Sequence, residues 1–62
     1  MRFYIEYEKA NGEQTIFEKA EIVGTYDKQC RERGFKVFEE GRGYRNVNYN
    51  RIISIKASNN LN

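Results

Sequence analysis

The chain has 62 residues and a formal net charge of +2, so it holds one small domain and is too short for a multidomain enzyme. Its apolar share of 39% and charged share of 32% are typical of a soluble globular chain and exclude a disordered one. It contains no His, which removes the usual general base near neutral pH and the commonest metal ligand.

Charge is unevenly distributed along the chain. Residues 1–24 carry three basic and five acidic side chains, whereas residues 25–51 carry seven basic and four acidic ones. Five of those seven basic residues are Arg, which suits bidentate contacts to phosphate or carboxylate better than Lys does. An ordinary solvated surface and an anion-binding surface both fit this distribution.

Cysteine use and hydropathy indicate a compartment. Cys30 is the only cysteine, so no internal disulfide can form and a reducing interior is expected. No apolar run approaches the roughly 18 residues that a membrane-spanning helix needs. The acidic, alternating start of the chain differs from a signal peptide. We therefore expect a cytoplasmic protein without membrane contact.

The first 22 residues are predicted to form a β-hairpin, because alternating apolar and polar positions are typical of a half-buried strand. Asn11-Gly12 favours a two-residue type I′ turn. That turn pairs Tyr7 with Ile16, Ile5 with Glu18 and Phe3 with Ala20. The core face then consists of Phe3, Ile5, Tyr7, Ile16, Ala20 and Ile22, and the opposite face of Tyr4, Glu6, Phe17 and Lys19.

A short helix is predicted over residues 25–33. Thr25 can cap its first turn and Gly34 can end it, and four-residue spacing places Tyr26 and Cys30 on one face. About two turns are too few for a helix that is stable alone, so this one must pack on the sheet. An irregular loop is an almost equal alternative.

The last strands are predicted over residues 35–40 and 44–55, joined by the three-residue loop Gly41-Arg42-Gly43. Apolar residues then lie opposite apolar residues, and one pair is ionic. The predicted pairs are Val37–Val47, Phe35–Tyr49 and Glu39–Arg45, with Ile53 and Ile55 continuing the core face and Lys36, Phe38, Tyr44 and Asn46 on the other face.

Ile52 interrupts the alternation of the last strand. A bulge or bend near Arg51 is therefore expected, and the strand can count as two.

Together these elements predict an α+β domain that is mainly β and spans residues 1–57, followed by a polar tail at 58–62. Its architecture is a small antiparallel sheet or barrel of four or five strands, with the helix between strands 2 and 3. So few strands cannot bury one face alone, and the apolar content makes stability marginal. We therefore expect a homodimer or a higher oligomer.

Residues 45–52 carry a resemblance to a known family. Their sequence, Arg-Asn-Val-Asn-Tyr-Asn-Arg-Ile, resembles the C-terminal signature of WYL domains, in which Arg45, Arg51 and Ile52 match by identity and spacing. The resemblance implies an Sm-like small barrel that senses nucleic acid or nucleotides in bacterial regulators. It also implies that Arg45 and Arg51 lie near a polyanion, with Lys36 or Tyr44 beside them.

The residues of the last hairpin suggest a related chemistry. Arg side chains hold phosphates and aromatic rings stack on bases, a combination that single-strand binders use. In a purely structural alternative, Arg45 pairs with Glu39 and the other residues are core or solvated turn. The candidate ligand-binding residues are Arg45, Arg51, Lys36, Tyr44 and Arg42.

Arg51 favours the binding interpretation slightly. Its position in the alternation points it toward the core face, where a guanidinium needs an anionic partner from the protein or from a ligand.

The sequence therefore predicts a non-catalytic binding module without cofactor or metal, which recognises a nucleic acid or a nucleotide and can be regulatory. An enzyme is not expected, because no spacing of carboxylates or nucleophiles defines a catalytic group. The alternative is a small phage or mobile-element protein that binds another protein, such as an inhibitor of a host or defence protein. Its interface, or that of the oligomer, would use the outward apolar residues Tyr4, Phe17 and Phe38.

Overall fold

A computed structural model describes residues 1–28 and 32–58 and shows one five-stranded antiparallel sheet. The strand order is β4-β3-β2-β1-β5, and a 3₁₀ turn, Tyr49–Arg51, separates the last two strands. The prediction of a mainly β domain is confirmed. The strands are β1 (Arg2–Glu8), β2 (Gln14–Lys28), β3 (Glu32–Glu39), β4 (Gly43–Asn48) and β5 (Ile52–Ala57).

The predicted helix over residues 25–33 is wrong. Residues 25–28 continue β2, residues 32–33 begin β3, and the two strands pair there. Residues 29–31 lie outside the described part of the chain, and so does the predicted packing of Cys30. Extended backbone is favoured because β-branched and aromatic side chains pack well on a pleated surface, whereas two turns of helix have little stability.

The first hairpin forms with a longer loop than predicted. The loop is Ala10-Asn11-Gly12, in which the Gly12 amide donates to the Lys9 carbonyl at 2.8 Å. Gly12 has a φ of 92°, which belongs to the left-handed region that closes a three-residue loop. The Asn11 side-chain oxygen accepts a hydrogen bond from the Glu13 amide at 2.9 Å and holds the turn.

The extra loop residue moves the register by one position near the turn. Ile5 pairs with Phe17, and Tyr7 pairs with Thr15. A shift of one residue exchanges the two faces of a strand. Phe17 is therefore fully buried, and Ile16, predicted in the core, is 38% exposed.

β2 contains two irregularities that bend it. Opposite β1, one extra residue lies between the Ile5–Phe17 and Phe3–Ala20 pairs, so the predicted Phe3–Ala20 pair is restored and confirmed. Opposite β3, another register shift lies between Ile22 and Gly24. Bulges increase local twist and bend a strand. The 15-residue β2 can therefore pair with β1 along its first half and with β3 along its second.

The second hairpin has a three-residue loop, as predicted, but the loop begins one residue earlier in the chain than predicted. Its loop is residues 40–42, closed by the Arg42 amide on the Glu39 carbonyl at 2.9 Å, with Gly41 at a φ of 87° as a type II turn requires. Phe35 pairs with Val47, so the predicted partners are wrong by two residues.

A shift of two residues keeps each side chain on its predicted face. Phe35, Val37 and Val47 therefore share the core side, as predicted. The predicted Glu39–Arg45 pair is wrong, since Glu39 lies opposite Gly43.

The last strand divides as expected. The 3₁₀ turn ends β4, and the β1–β5 register shifts between Ser54 and Ile52, which leaves Ile53 as an extra residue. The prediction of a bend near Arg51 is confirmed. Ile53, Ile55 and Tyr49, which were predicted on the core face, are 50%, 40% and 42% exposed, and Ile55 shares that face as the cross-strand partner of Ile5.

The core lies on one side of the sheet, where Tyr7 and Phe17 meet edge to face with ring centroids 5.9 Å apart. Strands β4 and β5 are the two edges and do not pair with each other over the described residues, so the sheet is open and the barrel form is not seen. The buried residues are Ile5, Tyr7, Phe17, Ala20, Val37 and Val47, with Phe3, Ile22, Phe35 and Ile52 packed against them.

Two further predictions concern the chain end and the membrane. The Ser58 amide donates to the Arg2 carbonyl at 2.8 Å, so the sheet continues past β5, while the rest of the predicted tail lies outside the described residues. Over residues 1–28 and 32–58, no helix has the length and apolar character needed to cross a membrane.

Candidate functional site

A cleft of about 390 Å³ lies at one end of the sheet and contains two of the predicted ligand-binding residues. Arg45 reaches it from β4, and Arg51 from the 3₁₀ turn. Its volume is within the range of small-ligand pockets. We call it the arginine cleft; its other polar and aromatic lining residues are Lys9, Glu8, Glu32, Tyr7, Tyr26, Asn46 and Asn48.

Arg45 differs from the other cations of the arginine cleft, Lys9 and Arg51, in its contacts. Its Nη1 donates to the carbonyl of its neighbour Tyr44 at 2.8 Å. None of the ion pairs within the described ranges includes Arg45, and the carboxylate predicted to neutralise it, Glu39, pairs with Arg42 instead. Arg45 therefore keeps most of its donors available to an anion.

Arg51 has a protein partner. Its Nη1 lies 3.6 Å from the Glu8 carboxylate and 3.5 Å from the Lys9 carbonyl. The side chain is 45% exposed, so the predicted burial toward the core is wrong. The 3₁₀ turn changes the alternation, and Asn48 caps that turn by accepting the Asn50 amide at 2.8 Å. An exposed pair at 3.6 Å is weak, so a stronger anion can compete with Glu8.

Tyr26 of β2 is one of the residues that line the arginine cleft. It is half-buried and lies opposite Gly34 in the β2–β3 ladder. Burial raises the pKa of its phenol above the ordinary value of 10.0, and the nearby Glu32 and Tyr49 raise it further. The hydroxyl therefore stays protonated at neutral pH and can donate a hydrogen bond to an anion.

Lys36 and Tyr44 do not join the arginine cleft. Lys36 lies opposite Asn46, and Tyr44 lies opposite Phe38, on the face away from Val37 and the core. The Tyr44 and Phe38 rings pack with centroids 4.9 Å apart. These two residues therefore lie outside the cleft that Arg45 lines, on the face where the alternation placed them, and their part in ligand binding stays a prediction.

Arg42 is committed to contacts within the protein. Its Nη1 donates to the Ile16 carbonyl at 2.6 Å and to the Glu39 carboxylate at 3.2 Å, and its Nη2 donates to the Thr15 hydroxyl at 3.4 Å. Its guanidinium carbon lies 4.0 Å from the centroid of the Phe17 ring. These contacts tie the second hairpin to β2 and leave Arg42 little capacity for a ligand, contrary to prediction.

The three predicted interface residues do not share one face of the sheet. Phe17 is wholly buried, so its predicted position on an outward face is wrong. Phe38 and Tyr4 are half-buried on the outer face, where the Lys56 amine lies 5.0 Å from the Tyr4 ring centroid. The outer face therefore keeps two of its three predicted interface residues.

A second cavity of similar volume lies beside Phe38 and Glu39 of β3 and differs from the arginine cleft in charge. It is more acidic than basic, and its Glu39 carboxylate already accepts the Lys19 amide at 3.0 Å. In the described part of the chain, no group of three or more His, Cys, Asp or Glu side chains could hold a metal ion. The second cavity is lined by Arg2, Lys19, Glu21, Phe38, Glu39 and Glu40.

Sequence reasoning missed most of the residues that line the arginine cleft, among them Lys9, Tyr26 and Asn48. Lys9 lies between β1 and the first hairpin loop, Tyr26 in the segment predicted as helix, and Asn48 at the cap of the 3₁₀ turn. The strand-like alternation of Tyr26 with its neighbours was the signal available for one of them. Lys9 had no such signal, since only the fold brings the first loop beside the 3₁₀ turn.

Comparison with known proteins found no match: no family model, curated protein or solved structure is similar to this chain. The WYL-like relationship therefore stays a prediction.

Proposed function

We propose that the chain is a non-catalytic binding module that recognises a phosphate-bearing ligand, a nucleic acid or a nucleotide, in the arginine cleft. The observation that carries this proposal is the convergence of Arg45 and Arg51, from two different elements, on one concave site. Arg presents several N–H donors in a planar arrangement that matches phosphate oxygens.

The electrostatics of the cleft suit one or two phosphates rather than a long polyanion. Lys9, Arg45 and Arg51 contribute three positive charges, and Glu8 and Glu32 two negative ones. Two of the cations have carboxylate partners at 3.6 Å, so Arg45 is the main free charge. The protonated Tyr26 phenol adds a neutral donor.

The proposal extends to the family relationship of the chain and to its cellular role. A WYL-like relationship is supported by the position of Arg45 and Arg51 beside one cleft, although the sheet of this chain is open. A cytoplasmic, regulatory role is supported by the same resemblance, which implies ligand sensing in bacterial regulators.

Binding to another protein is the second candidate. The Tyr44 ring is 70% exposed beside Phe38, which is consistent with a contact surface. Support is weaker than for the arginine cleft, because Phe17, the third residue of the predicted patch, is buried. In that candidate, alanine at Tyr44 abolishes capture of a host or defence protein and leaves anion binding unchanged.

The test is fluorescence anisotropy with a labelled single-stranded oligonucleotide of about eight nucleotides, a length suited to small β modules. Unlabelled AMP and inorganic phosphate serve as competitors and distinguish nucleic acid from nucleotide. We expect the dissociation constant to rise roughly sevenfold between about 50 and 200 mM salt if two phosphates are contacted.

The decisive variant is Arg45→Gln, with Lys36→Gln as the matched control. Both changes remove one exposed positive charge from the last hairpin, but Lys36 lies on the outer face. We expect Arg45→Gln to weaken binding about tenfold, as loss of a charge-assisted hydrogen bond does, and Lys36→Gln to change it little. Equal effects of the two variants, or no binding of any probe by the wild-type chain, would contradict the proposal.

A further inference from the structure

The two edges of the sheet differ in chemistry. An edge strand exposes unpaired backbone N–H and C=O groups, which natural proteins protect with charge, Gly, Pro or a covering segment. The β4 edge carries Gly43, Arg45 and two Asn residues, Asn46 and Asn48. This edge is polar and interrupted by a positive φ at Gly43, so it is a poor template for another strand.

The β5 edge is more apolar, and its bulge at Ile53 leaves the segment from Ser54 to Ala57 regular. Its sequence is Ile-Ile-Ser-Ile-Lys-Ala, with one charge and no Gly or Pro. Ile53 and Ile55 are 50% and 40% exposed, and in the described residues β5 pairs with β1 alone. Branched apolar residues on a strand that has one unpaired edge favour addition of another strand there.

We propose that β5 pairs antiparallel with β5 of a second copy, about a two-fold axis at Ile55. In this register Ile55 faces Ile55 of the partner subunit, Ser54 faces Lys56 of the partner subunit, and Ile53 faces Ala57 of the partner subunit. A two-fold axis uses the same patch on both copies and closes after two, so the product is a ten-stranded sheet.

Packing on the core face favours this register over one that is shifted by a single residue. Ile55 is the cross-strand partner of the fully buried Ile5, so the two side chains share the core face. Bringing the two Ile55 side chains together extends a continuous apolar row across both copies and covers surface that one copy leaves exposed. A shift by one residue would place Ile55 opposite Ser54 and mix the two faces.

Charge supports the same register. Ser54 lies opposite Glu6 of β1, and neither Glu6 nor Lys56 belongs to an ion pair within the described ranges. With Lys56 of the partner subunit opposite the small Ser54, the long amine can extend over Ser54 toward Glu6. The two-fold axis creates this attraction twice. The register that centres on Lys56 would instead bring two like charges face to face.

The experiment measures mass by sedimentation equilibrium of the full chain over a concentration series, with folding checked by circular dichroism. We expect a concentration-dependent monomer–dimer equilibrium. Lys56→Glu places a carboxylate near Glu6 of the other copy and should raise the dimer dissociation constant about tenfold. Glu6→Lys should do the same by opposing Lys56.

Combining the two changes, Glu6→Lys with Lys56→Glu, should restore the dimer, because the attraction returns with reversed sign. Lys36→Glu is the control, since it makes the same charge change on a strand away from the β5 edge. A monomer at every concentration, a mass above that of a dimer, or a dimer insensitive to both single changes would overturn the proposal. So would folded single variants whose dissociation constant the double variant does not restore.

Discussion

At the scale of single residues, Gly34 has the strictest steric requirement in the described sheet. A Cβ atom there would clash with the Val47 carbonyl and lie 2.8 Å from the Tyr26 hydroxyl oxygen. Gly34 is buried where β2, β3 and β4 come together, and it lets the Tyr26 side chain lie over the backbone. The residue predicted to end a helix is therefore required by close packing of strands.

We expect Gly34→Ala to lower the free energy of unfolding by at least about 2 kcal/mol, because a buried methyl group against rigid backbone forces the strands apart. Gly24→Ala is the matched control. No atom lies within 4 Å of a Cβ at that position, so we expect a change of about 0.5 kcal/mol or less, or a small gain. Urea denaturation measures both, and similar losses in the two variants would contradict this account of Gly34.

At the scale of elements, the second hairpin and β2 are joined by a small polar network. The Glu39 carboxylate accepts the Lys19 amide at 3.0 Å, beside the β2 bulge, and also pairs with Arg42 at 3.2 Å. A bulge leaves backbone groups without ladder partners, so a side-chain acceptor there is stabilising. Arg42 then reaches across to the Ile16 carbonyl and the Phe17 ring.

The contacts of Arg42 predict a structural rather than a ligand-binding phenotype. Arg42→Ala removes a 2.6 Å hydrogen bond, an ion pair and a cation–π contact. We expect a loss of about 1–2 kcal/mol in the free energy of unfolding, since the side chain is partly exposed to solvent. Arg45→Ala removes the same charge from the same hairpin and should cost about 0.5 kcal/mol or less. Thermal unfolding of both variants checks this, and an equal effect would contradict it.

At the scale of the whole molecule, one bent sheet provides both the core and the arginine cleft. The long β2 belongs to both halves of the sheet because its two bulges change its direction. The 3₁₀ turn returns the chain toward the first hairpin, so that Arg51 lies near Glu8 and Lys9. The pKa of the half-buried Tyr26 phenol depends on burial and on Glu32 and Tyr49, so it is sensitive to how β2, β3 and the 3₁₀ turn pack together.

The raised pKa of Tyr26 predicts a loss of stability at alkaline pH. The folded protein holds the phenol proton more tightly than the unfolded chain, whose tyrosine titrates near 10.0. The contribution is therefore complete below about pH 10, and the free energy of unfolding falls as pH rises through the folded-state pKa.

Tyr26→Phe isolates this effect from the other titrating groups. The difference in free energy of unfolding between wild type and Tyr26→Phe should be constant up to about pH 9 and should decline above about pH 10. Urea denaturation at a series of pH values measures it. Parallel curves for the two proteins across the whole range would mean that the Tyr26 pKa is not raised by folding.

Much of the fold was predictable from local patterns, because alternation and turn residues report on backbone conformation at short range. Both hairpins, the split of the last strand and the common outer face of Phe38 and Tyr44 follow from them, whereas the pairing of those two residues does not. The helix was not excluded by such patterns, since the segment around Tyr26 becomes extended only by pairing with β3. Phe17 was misplaced because one additional loop residue exchanges two faces.

The candidate site was predictable in part for the same reason. The motif from Arg45 to Ile52 identifies two arginines, and both line the cleft. Lys36 was grouped with them through the family resemblance and Arg42 through the basic composition of the last hairpin, yet Lys36 lies on the outer face and long-range contacts hold Arg42.

The short length and the alternating aromatic residues by themselves determined a single small β domain, since period-two patterning and turn residues act over only a few positions. Tertiary structure alone decided which aromatic residues face the core, which arginine of the arginine cleft has no ion-pair partner among the described residues and which strands form the two edges of the sheet. Those features depend on exact register and on contacts between residues far apart in the chain, and a bulge or one additional loop residue is enough to change them.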